Sequence, residues 1–87
     1  MKVSQTTQFR KDLRKQQKRG KDLSKLIGTV DLLVSSCVLT EKFHDHPLTG
    51  NWKDWRECHI EPDWLLIYKP LDDELILGRT GSHSDLF

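Results

Sequence analysis

The sequence predicts an α+β fold in which two N-terminal helices pack on an antiparallel sheet of about four strands. Three observations favour this fold. Apolar residues recur at helical spacing up to residue 37, the period changes to two after residue 54, and turn-forming residues separate three consecutive strands. The chain has 87 residues with no visible repeat or linker, so we expect one domain over residues 1–87.

The first element is a short strand, because MKVSQT alternates modestly between apolar and polar residues. Good helix formers then run from Gln8 to Arg19, with Phe9 and Leu13 four residues apart on a narrow apolar stripe. Gly20 is well placed to end this helix, since glycine adopts the left-handed conformation of a helix C-terminus without strain.

The second helix has the clearer amphipathic pattern. Its apolar residues follow the spacing i, i+3, i+4, i+7, which places them on one broad face: Leu23, Leu26, Ile27, Val30, Leu33, Val34 and Cys37. We expect this helix to supply the helical half of the core. Residues 40–54 then mix proline, glycine and charge without periodicity and are interpreted as a loop.

Three strands follow the loop. WRECHIE alternates, with Arg56, Cys58 and Ile60 on one face and Trp55, Glu57, His59 and Glu61 on the other, so one face is expected in the core and one in water. EPDW and LDDE are turn sequences, and between them WLLIYK is apolar on both faces, as in a central strand. LILGRT is the last strand, in which Gly78 admits a close approach of another group.

The charge distribution is strongly asymmetric although the net charge is +1. Residues 1–27 carry nine basic residues against two acidic ones, and residues 28–87 carry five against eleven, which gives balances of +7 and −6. The basic segment is compatible with a solvated helix face. It is equally compatible with a surface that binds nucleic-acid phosphates.

Several classes of protein have no support in the sequence. No apolar run reaches the length of a membrane span, and the N-terminus lacks the apolar segment of a secretory signal, so the cytoplasm is the expected compartment. Cys37 and Cys58 are expected to be reduced core residues. No GxGxxG, Walker A, HExxH or GxSxG pattern occurs.

The polar residues whose side chains could take part in catalysis lie in the second half of the chain. We expect His44, His46, His59 and His83 to converge at one edge of the sheet, near Asp63 and Arg79. Each has a simpler interpretation, since a single histidine is commonly a surface residue, Asp63 suits a turn, and Arg79 has many carboxylates to pair with. A zinc site at His44-Asp45-His46 is disfavoured by the spacing and by Pro47, so no metal or other cofactor is expected.

The motifs HPLTGNWKDWRECHIEPDWLLIYKP and LILGRTGSHSDLF closely resemble the C-terminal half of YafQ-type toxins of the RelE/ParE superfamily. These toxins are bacterial messenger-RNA endoribonucleases of type II toxin–antitoxin modules. The resemblance implies a RelE-like fold and metal-independent cleavage of translated mRNA on the ribosome. It also implies neutralisation by a cognate antitoxin, with operator DNA bound only through the toxin–antitoxin complex.

The resemblance also carries functional positions onto this chain. It implies a catalytic set of His46, His59, Asp63 and His83, and RNA or phosphate contacts by Arg79 and by the terminal Phe87. His44 lies outside the motif and is interpreted as a surface residue. The candidates for contact with ribosomal RNA are the basic residues of the first helix: Lys11, Arg14, Lys15, Lys18 and Arg19.

These residue types suit attack of a ribose 2′-hydroxyl on the adjacent phosphorus. Histidines transfer protons near neutral pH, with His83 the first candidate, and an arginine stabilises charge on the phosphoryl oxygens. Two alternatives remain: a superfamily toxin that acts on a protein such as DNA gyrase, and a non-catalytic RNA-binding module. Only the nuclease requires the histidine set.

Overall fold

The computed structural model describes residues 2–35 and 43–87 and has the predicted α+β architecture. Strand β1 (Lys2–Gln5) precedes the two main helices, α1 (Thr7–Lys18) and α2 (Leu23–Val34). A short strand β2 (His46–Pro47) and a 3₁₀ turn (Gly50–Trp52) lead into the hairpin strands. These are β3 (Arg56–Glu61), β4 (Trp64–Pro70) and β5 (Glu74–Gly81), followed by the single-turn helix α3 (His83–Leu86).

Local capping interactions and a glycine explain where the two main helices begin and where the first one ends. The Thr6 side chain accepts a hydrogen bond from the Phe9 N–H and caps α1, and the Asp22 side chain does the same for α2 through Ser24. Gly20 follows α1 with φ +83°, as predicted. Cys37, predicted on α2, lies outside the described residues. Within the described ranges, no helix is both long and apolar enough to cross a bilayer.

The sheet differs from the prediction in strand number and in one strand direction. It has five strands in the order β1-β5-β4-β3-β2, and β1 pairs with β5 in parallel while the other pairs are antiparallel. The fifth strand is β2, which lies inside the predicted loop 40–54 and pairs His46 with Glu57. A two-residue strand is too short to produce a period-two pattern, and the direction of β1 depends on the path of two intervening helices.

The predicted turns form, and Gly78 has the predicted close neighbour. Pro62 and Asp63 connect β3 to β4, and Asp72 and Asp73 lie in the turn before β5. The register of β4 and β5 shifts so that Gly78 is the extra residue of a bulge. The Trp55 ring covers this position, because a Cβ on Gly78 would lie 2.4 Å from Trp55 Cζ3. The bulge therefore requires a glycine beneath the indole.

The core forms between the helices and one face of the sheet. Trp64 to Tyr68 are all buried, which confirms β4 as the central strand, and Cys58 is buried with a free thiol. Phe9 on the narrow stripe of α1 is only 1% exposed, whereas Ile27 on the broad face of α2 is 58% exposed. The expectation that α2 supplies the helical half of the core is therefore incomplete, because α1 contributes to the core as well. Both helices contribute to the core, and part of the apolar face of α2 stays in solvent.

Candidate active site

The centre of the candidate site is a hydrogen-bonded pair formed by Asp63 and His83. The Asp63 Oδ1 atom accepts from His83 Nδ1 at 2.7 Å and from the His83 backbone N–H at 3.0 Å. These two hydrogen bonds lower the pKa of Asp63 below its usual range, with the backbone bond the larger cause. An ionised carboxylate only accepts, so Nδ1 carries the proton, and Nε2 is left for a substrate.

His59 lies between two other histidines. Its ring centroid is 5.3 Å from that of His44 and 5.5 Å from that of His83. Burial lowers the pKa of His59, and the positive charges of His44 and His83 act in the same direction, while Glu57 opposes them. A neutral imidazole therefore lies at the centre of the cluster near pH 7. His44, interpreted from the sequence as a surface residue, is exposed but in contact with the cluster.

His46 joins the cluster through Glu57. Strand β2 places His46 opposite Glu57 in the sheet, with 3.7 Å between His46 Nε2 and Glu57 Oε1. The same oxygen is 3.5 Å from His59 Nε2. Glu57 is only 5% exposed, so the expectation that its face of β3 is wet is wrong at this residue. Glu57 is also a site residue that the sequence interpretation missed, although its i, i+2 relation to His59 was visible.

Asp45, which lies between His44 and His46, connects their loop to the sheet by hydrogen bonds. The Tyr68 hydroxyl donates to Asp45 Oδ1 at 2.6 Å, and Arg56 Nε donates to the same atom at 3.3 Å. Burial raises the pKa of Tyr68, which keeps the phenol protonated and able to donate. His44 adopts φ 47°, which for a non-glycine residue marks a constrained backbone. Asp45 thus fixes the loop position of both neighbouring histidines.

The predicted phosphate-binding residue Arg79 lies in an ion pair with Asp12 on α1. Its Nε donates to Asp12 Oδ2 at 2.7 Å and its Nη2 to Oδ1 at 3.2 Å. Asp12 also accepts from the Thr80 N–H and so satisfies the edge of β5. The structure therefore assigns Arg79 a local structural partner, and its contact with phosphate stays a prediction.

The terminal Phe87 is exposed at 64%, whereas Leu86 is partly buried. The Phe87 N–H donates to the His83 carbonyl at 2.9 Å and continues the α3 turn by one residue. The Phe87 ring lies in solvent, two residues after the ion-paired Asp85. It is therefore available for stacking on a base.

The five basic candidates on α1 divide into two groups. Lys15 and Arg19 form ion pairs with Asp85, at 3.1 and 2.5 Å. The other three are exposed, and each makes no ion pair with the described parts of the chain. They follow helical spacing along one side of α1 and are called the α1 stripe here: Lys11, Arg14 and Lys18.

The site also contains a possible set of metal ligands. One ligand atom each from Glu57, His59 and His83 lies within 4.8 Å of the other two. The Glu57 Oε1 and His59 Nε2 atoms are 3.5 Å apart, close to the separation of two ligands in a tetrahedral zinc site. The three donors are of the right type for a transition metal.

The whole chain, residues 1–87, matches the sequence model of a family described as a bacterial toxin of type II toxin-antitoxin systems, YafQ. The chain belongs to the YafQ family. It is 44% identical over 86 residues to the mRNA interferase toxin YafQ of Escherichia coli K12, covering 98% of this chain and 94% of that protein. The predicted family and its RelE-like fold are therefore confirmed, with five strands instead of four.

Two solved structures of similar proteins support the same assignment. The toxin in the crystal structure of the E. coli DinJ–YafQ complex has a TM-score of 0.90 and 44% identity, covering 98% of this chain and 96% of that one. A copper-bound mutant toxin from Helicobacter pylori has a TM-score of 0.94 and 46% identity, covering 100% and 99%. The YafQ fold thus spans the full described chain.

Proposed function

We propose that this toxin cleaves translated mRNA on the ribosome by 2′-hydroxyl attack on the adjacent phosphate, without a metal. Its relative from E. coli K12 is named an mRNA interferase, which is an endoribonuclease. The observation that carries the proposal for this chain is the convergence of three histidines with two carboxylates, Asp63 and Glu57, at one edge of the sheet.

The reaction needs one group to take a proton and another to give one. The 2′-oxygen loses its proton as it bonds to phosphorus, and the 5′-oxygen gains a proton as its bond to phosphorus breaks. The products are a 2′,3′-cyclic phosphate and a 5′-hydroxyl. Acid and base roles usually belong to two groups in different environments. His59 and His83 are neighbouring rings in different environments, so we assign the two roles to them.

His59 and His83 have different surroundings. The lowered pKa of His59 keeps it neutral, so it suits the base that accepts the 2′-proton. His83 has Nδ1 bound to the Asp63 carboxylate, which fixes the orientation of the ring and leaves Nε2 for the substrate, so it suits the acid that protonates the 5′-oxygen. His46 Nδ1 is 2.8 Å from the His44 carbonyl oxygen, and His46 Nε2, 3.7 Å from Glu57 Oε1, suits contact with a phosphoryl oxygen.

We expect the substrate to approach through a groove beside His59. A groove of about 1270 Å³ lies between α2 and the histidines and is bordered by His44, His46 and His59. Phe87 extends into solvent beside His83 and supplies an aromatic surface for one base. On the helical side, the α1 stripe offers three unpaired positive charges for ribosomal RNA phosphates.

A cognate antitoxin is the second partner that we propose. The E. coli relative is crystallised in a DinJ–YafQ complex, and a nuclease that attacks translated mRNA would arrest its own host unless it were neutralised. The antitoxin should be acidic where it meets α1, since that helix has an excess of positive charge. Operator DNA would be bound through the antitoxin. Because the proposed target is the translating ribosome, we expect the toxin to act in the bacterial cytoplasm.

The copper-bound relative raises the question of a metal in this chain. Glu57, His59 and His83 would be the ligands, and a metal there would occupy the imidazole nitrogens that the reaction needs for proton transfer. We therefore propose that metal binding at these residues inhibits cleavage instead of promoting it.

The test is to induce the chain in bacteria, with and without its antitoxin, and to map mRNA 5′ ends. New ends within translated codons, absent with His83→Ala, would support the proposal. Growth arrest without new ends would favour a protein target. Equal cleavage by His83→Ala and by the wild type would reject the proposed chemistry.

A further inference from the structure

Asp85 is the most heavily bonded carboxylate among the described residues. Its Oδ2 accepts from Arg19 Nη1 at 2.5 Å, and its Oδ1 accepts from Arg19 Nη2 at 3.0 Å and from Lys15 Nζ at 3.1 Å. Oδ2 also accepts from the Ser82 N–H at 2.9 Å and, at 3.5 Å, from Gln16. This arrangement, called the Asp85 clasp here, joins α3 to α1. The side chain of Asp85 is only 12% exposed.

The short helix α3 depends on such contacts for its position. A helix of four residues is far below the length at which helices are stable alone, so its place is decided by tertiary contacts. Ser82 and Asp85 form a reciprocal capping box that closes the turn on itself. Within residues 2–35 and 43–87, the side-chain bonds that connect that turn to α1 are the ion pairs of Asp85 with Arg19 and Lys15 and the longer bond from Gln16.

Gly81 gives independent support for a built-in contact. A Cβ at this position would lie 2.9 Å from both the Cβ and the Oδ2 of Asp85. Any larger residue at position 81, the last of β5, would collide with the Asp85 side chain and displace it. The absence of a side chain at Gly81 therefore permits the position of the clasp.

Together with the hydrogen bonds from His83 to Asp63, the clasp sets the direction of the two residues proposed to contact RNA, which are the first residue of α3 and the residue that follows it. Residues four apart on a helical turn share a face, and residues two apart do not. His83 and Phe87 are four apart, and the Phe87 N–H to His83 carbonyl bond keeps that turn helical. Asp85 is two residues from each. When Asp85 faces α1, His83 and Phe87 are directed away from α1.

We infer that Asp85 is a positioning residue for cleavage, which holds His83 and Phe87 over the RNA by fixing α3 to Arg19 and Lys15. The inference rests on the proposed roles of His83 and Phe87. It also assigns Arg19 and Lys15 to the clasp, so their main effect on cleavage is indirect and does not come from contact with ribosomal RNA.

The decisive variant is Asp85→Asn, which keeps the size of the side chain but removes its charge. The matched control is Asp22→Asn, because Asp22 is also a carboxylate that caps a helix, through the Ser24 N–H of α2, and it does not border the groove. Thermal unfolding, kcat and KM for ribosome-bound mRNA, and the NMR signals of the His83 ring are measured for both.

We expect Asp85→Asn to lower kcat about 10- to 100-fold, since a misplacement of about 1 Å in a reacting group costs about that much. The His83 ring signals should move or broaden. Asp22→Asn should leave kcat and the His83 signals unchanged. Equal kcat values for Asp85→Asn and Asp22→Asn would overturn the inference.

Arg19→Gln provides a second variant that leaves the capping box of α3 intact. If Arg19 acts through Asp85, the Arg19→Gln/Asp85→Asn double variant should have the same kcat as Asp85→Asn alone. If Arg19 instead binds RNA directly, the losses in kcat/KM of the two single variants should multiply in the double variant, and KM should rise. That result would overturn the inference even if Asp85→Asn folds poorly.

A parallel His83→Ala assay separates the inference from the proposed function. Loss of cleavage with His83→Ala but normal kcat with Asp85→Asn would reject the clasp and leave the proposed function standing. Normal cleavage with His83→Ala would reject the proposed function. The NMR signals of His83 in Asp85→Asn would then still decide whether the clasp orients this side chain.

Discussion

Glu57 and His59 extend from the same face of β3, with 3.5 Å between the Glu57 Oε1 and His59 Nε2 atoms. The carboxylate is buried and raises the pKa of His59, but burial of the ring lowers that pKa by more. The balance between these two effects decides the protonation of the proposed base.

Two opposing substitutions test that balance. Glu57→Gln should lower the pKa of His59 further, and His44→Gln should raise it, because a positive neighbour is removed. NMR titration of the His59 ring measures both shifts, and the acidic limb of the kcat/KM profile should move in the same directions. An acidic limb that stays in place while the His59 titration moves would exclude His59 as the base.

The same pKa shift has a consequence for stability. The folded-state pKa of His59 lies below the unfolded value of about 6.5. Its contribution is therefore fully present above pH of about 6.5 and is lost as the pH falls through the folded pKa. Denaturant unfolding of the wild type and His59→Gln at several pH values should show a smaller decrease on acidification for the variant.

The Asp63→Asn substitution tests the pair that orients His83. We expect kcat to fall about 10²- to 10⁴-fold, as for loss of an acid–base group, with little change in unfolding temperature because both side chains are more than half exposed. Asp72→Asn, in the exposed turn before β5, is the control. A lower unfolding temperature with normal kcat would mean that Asp63 serves only the turn.

Phe87→Ala and Leu86→Ala separate a stacking role from a packing role at the C-terminus. Phe87→Ala should weaken mRNA binding by about 1–3 kcal/mol, the usual range for base stacking, and leave the unfolding temperature unchanged. Leu86→Ala should lower the unfolding temperature. A Phe87→Ala protein that melts many degrees lower yet cleaves normally would place Phe87 in the core.

Replacing the α1 stripe, Lys11, Arg14 and Lys18, by glutamine should weaken ribosome binding and reduce its salt dependence. Each lost phosphate contact should lower the slope of log affinity against log salt by about 0.7–0.9, or about 2–3 for all three. Binding at several salt concentrations measures this. An unchanged slope would mean that the α1 stripe does not contact ribosomal RNA phosphates.

Metal removal should leave cleavage intact, and added metal should reduce it. EDTA treatment, with ribosome integrity restored and checked separately, should not change kcat, because histidines supply the proton transfers. Added zinc or copper should inhibit the wild type more than Glu57→Gln, which lacks one ligand. Activity lost with EDTA and restored by zinc would reverse the metal-independent proposal.

The sequence by itself determined the elements of this protein. Helix starts and ends at Thr6, Gly20 and Asp22, the turn at Pro62–Asp63 and the buried strand β4 depend on residues only a few positions apart, where periodicity and turn chemistry act. The motif spacing also pointed to the YafQ family, and it selected the histidines that the fold gathers at one edge.

The tertiary structure alone decided which groups complete the site. The bonds from Arg79 to Asp12 and from Arg19 to Asp85 join residues 67 and 66 positions apart, and the parallel pairing of β1 with β5 joins residues 72 positions apart. Such contacts depend on the path of the intervening helices, which local patterns do not encode. The burial of Glu57 beside two histidines likewise follows from β2, a strand too short for any sequence pattern to reveal.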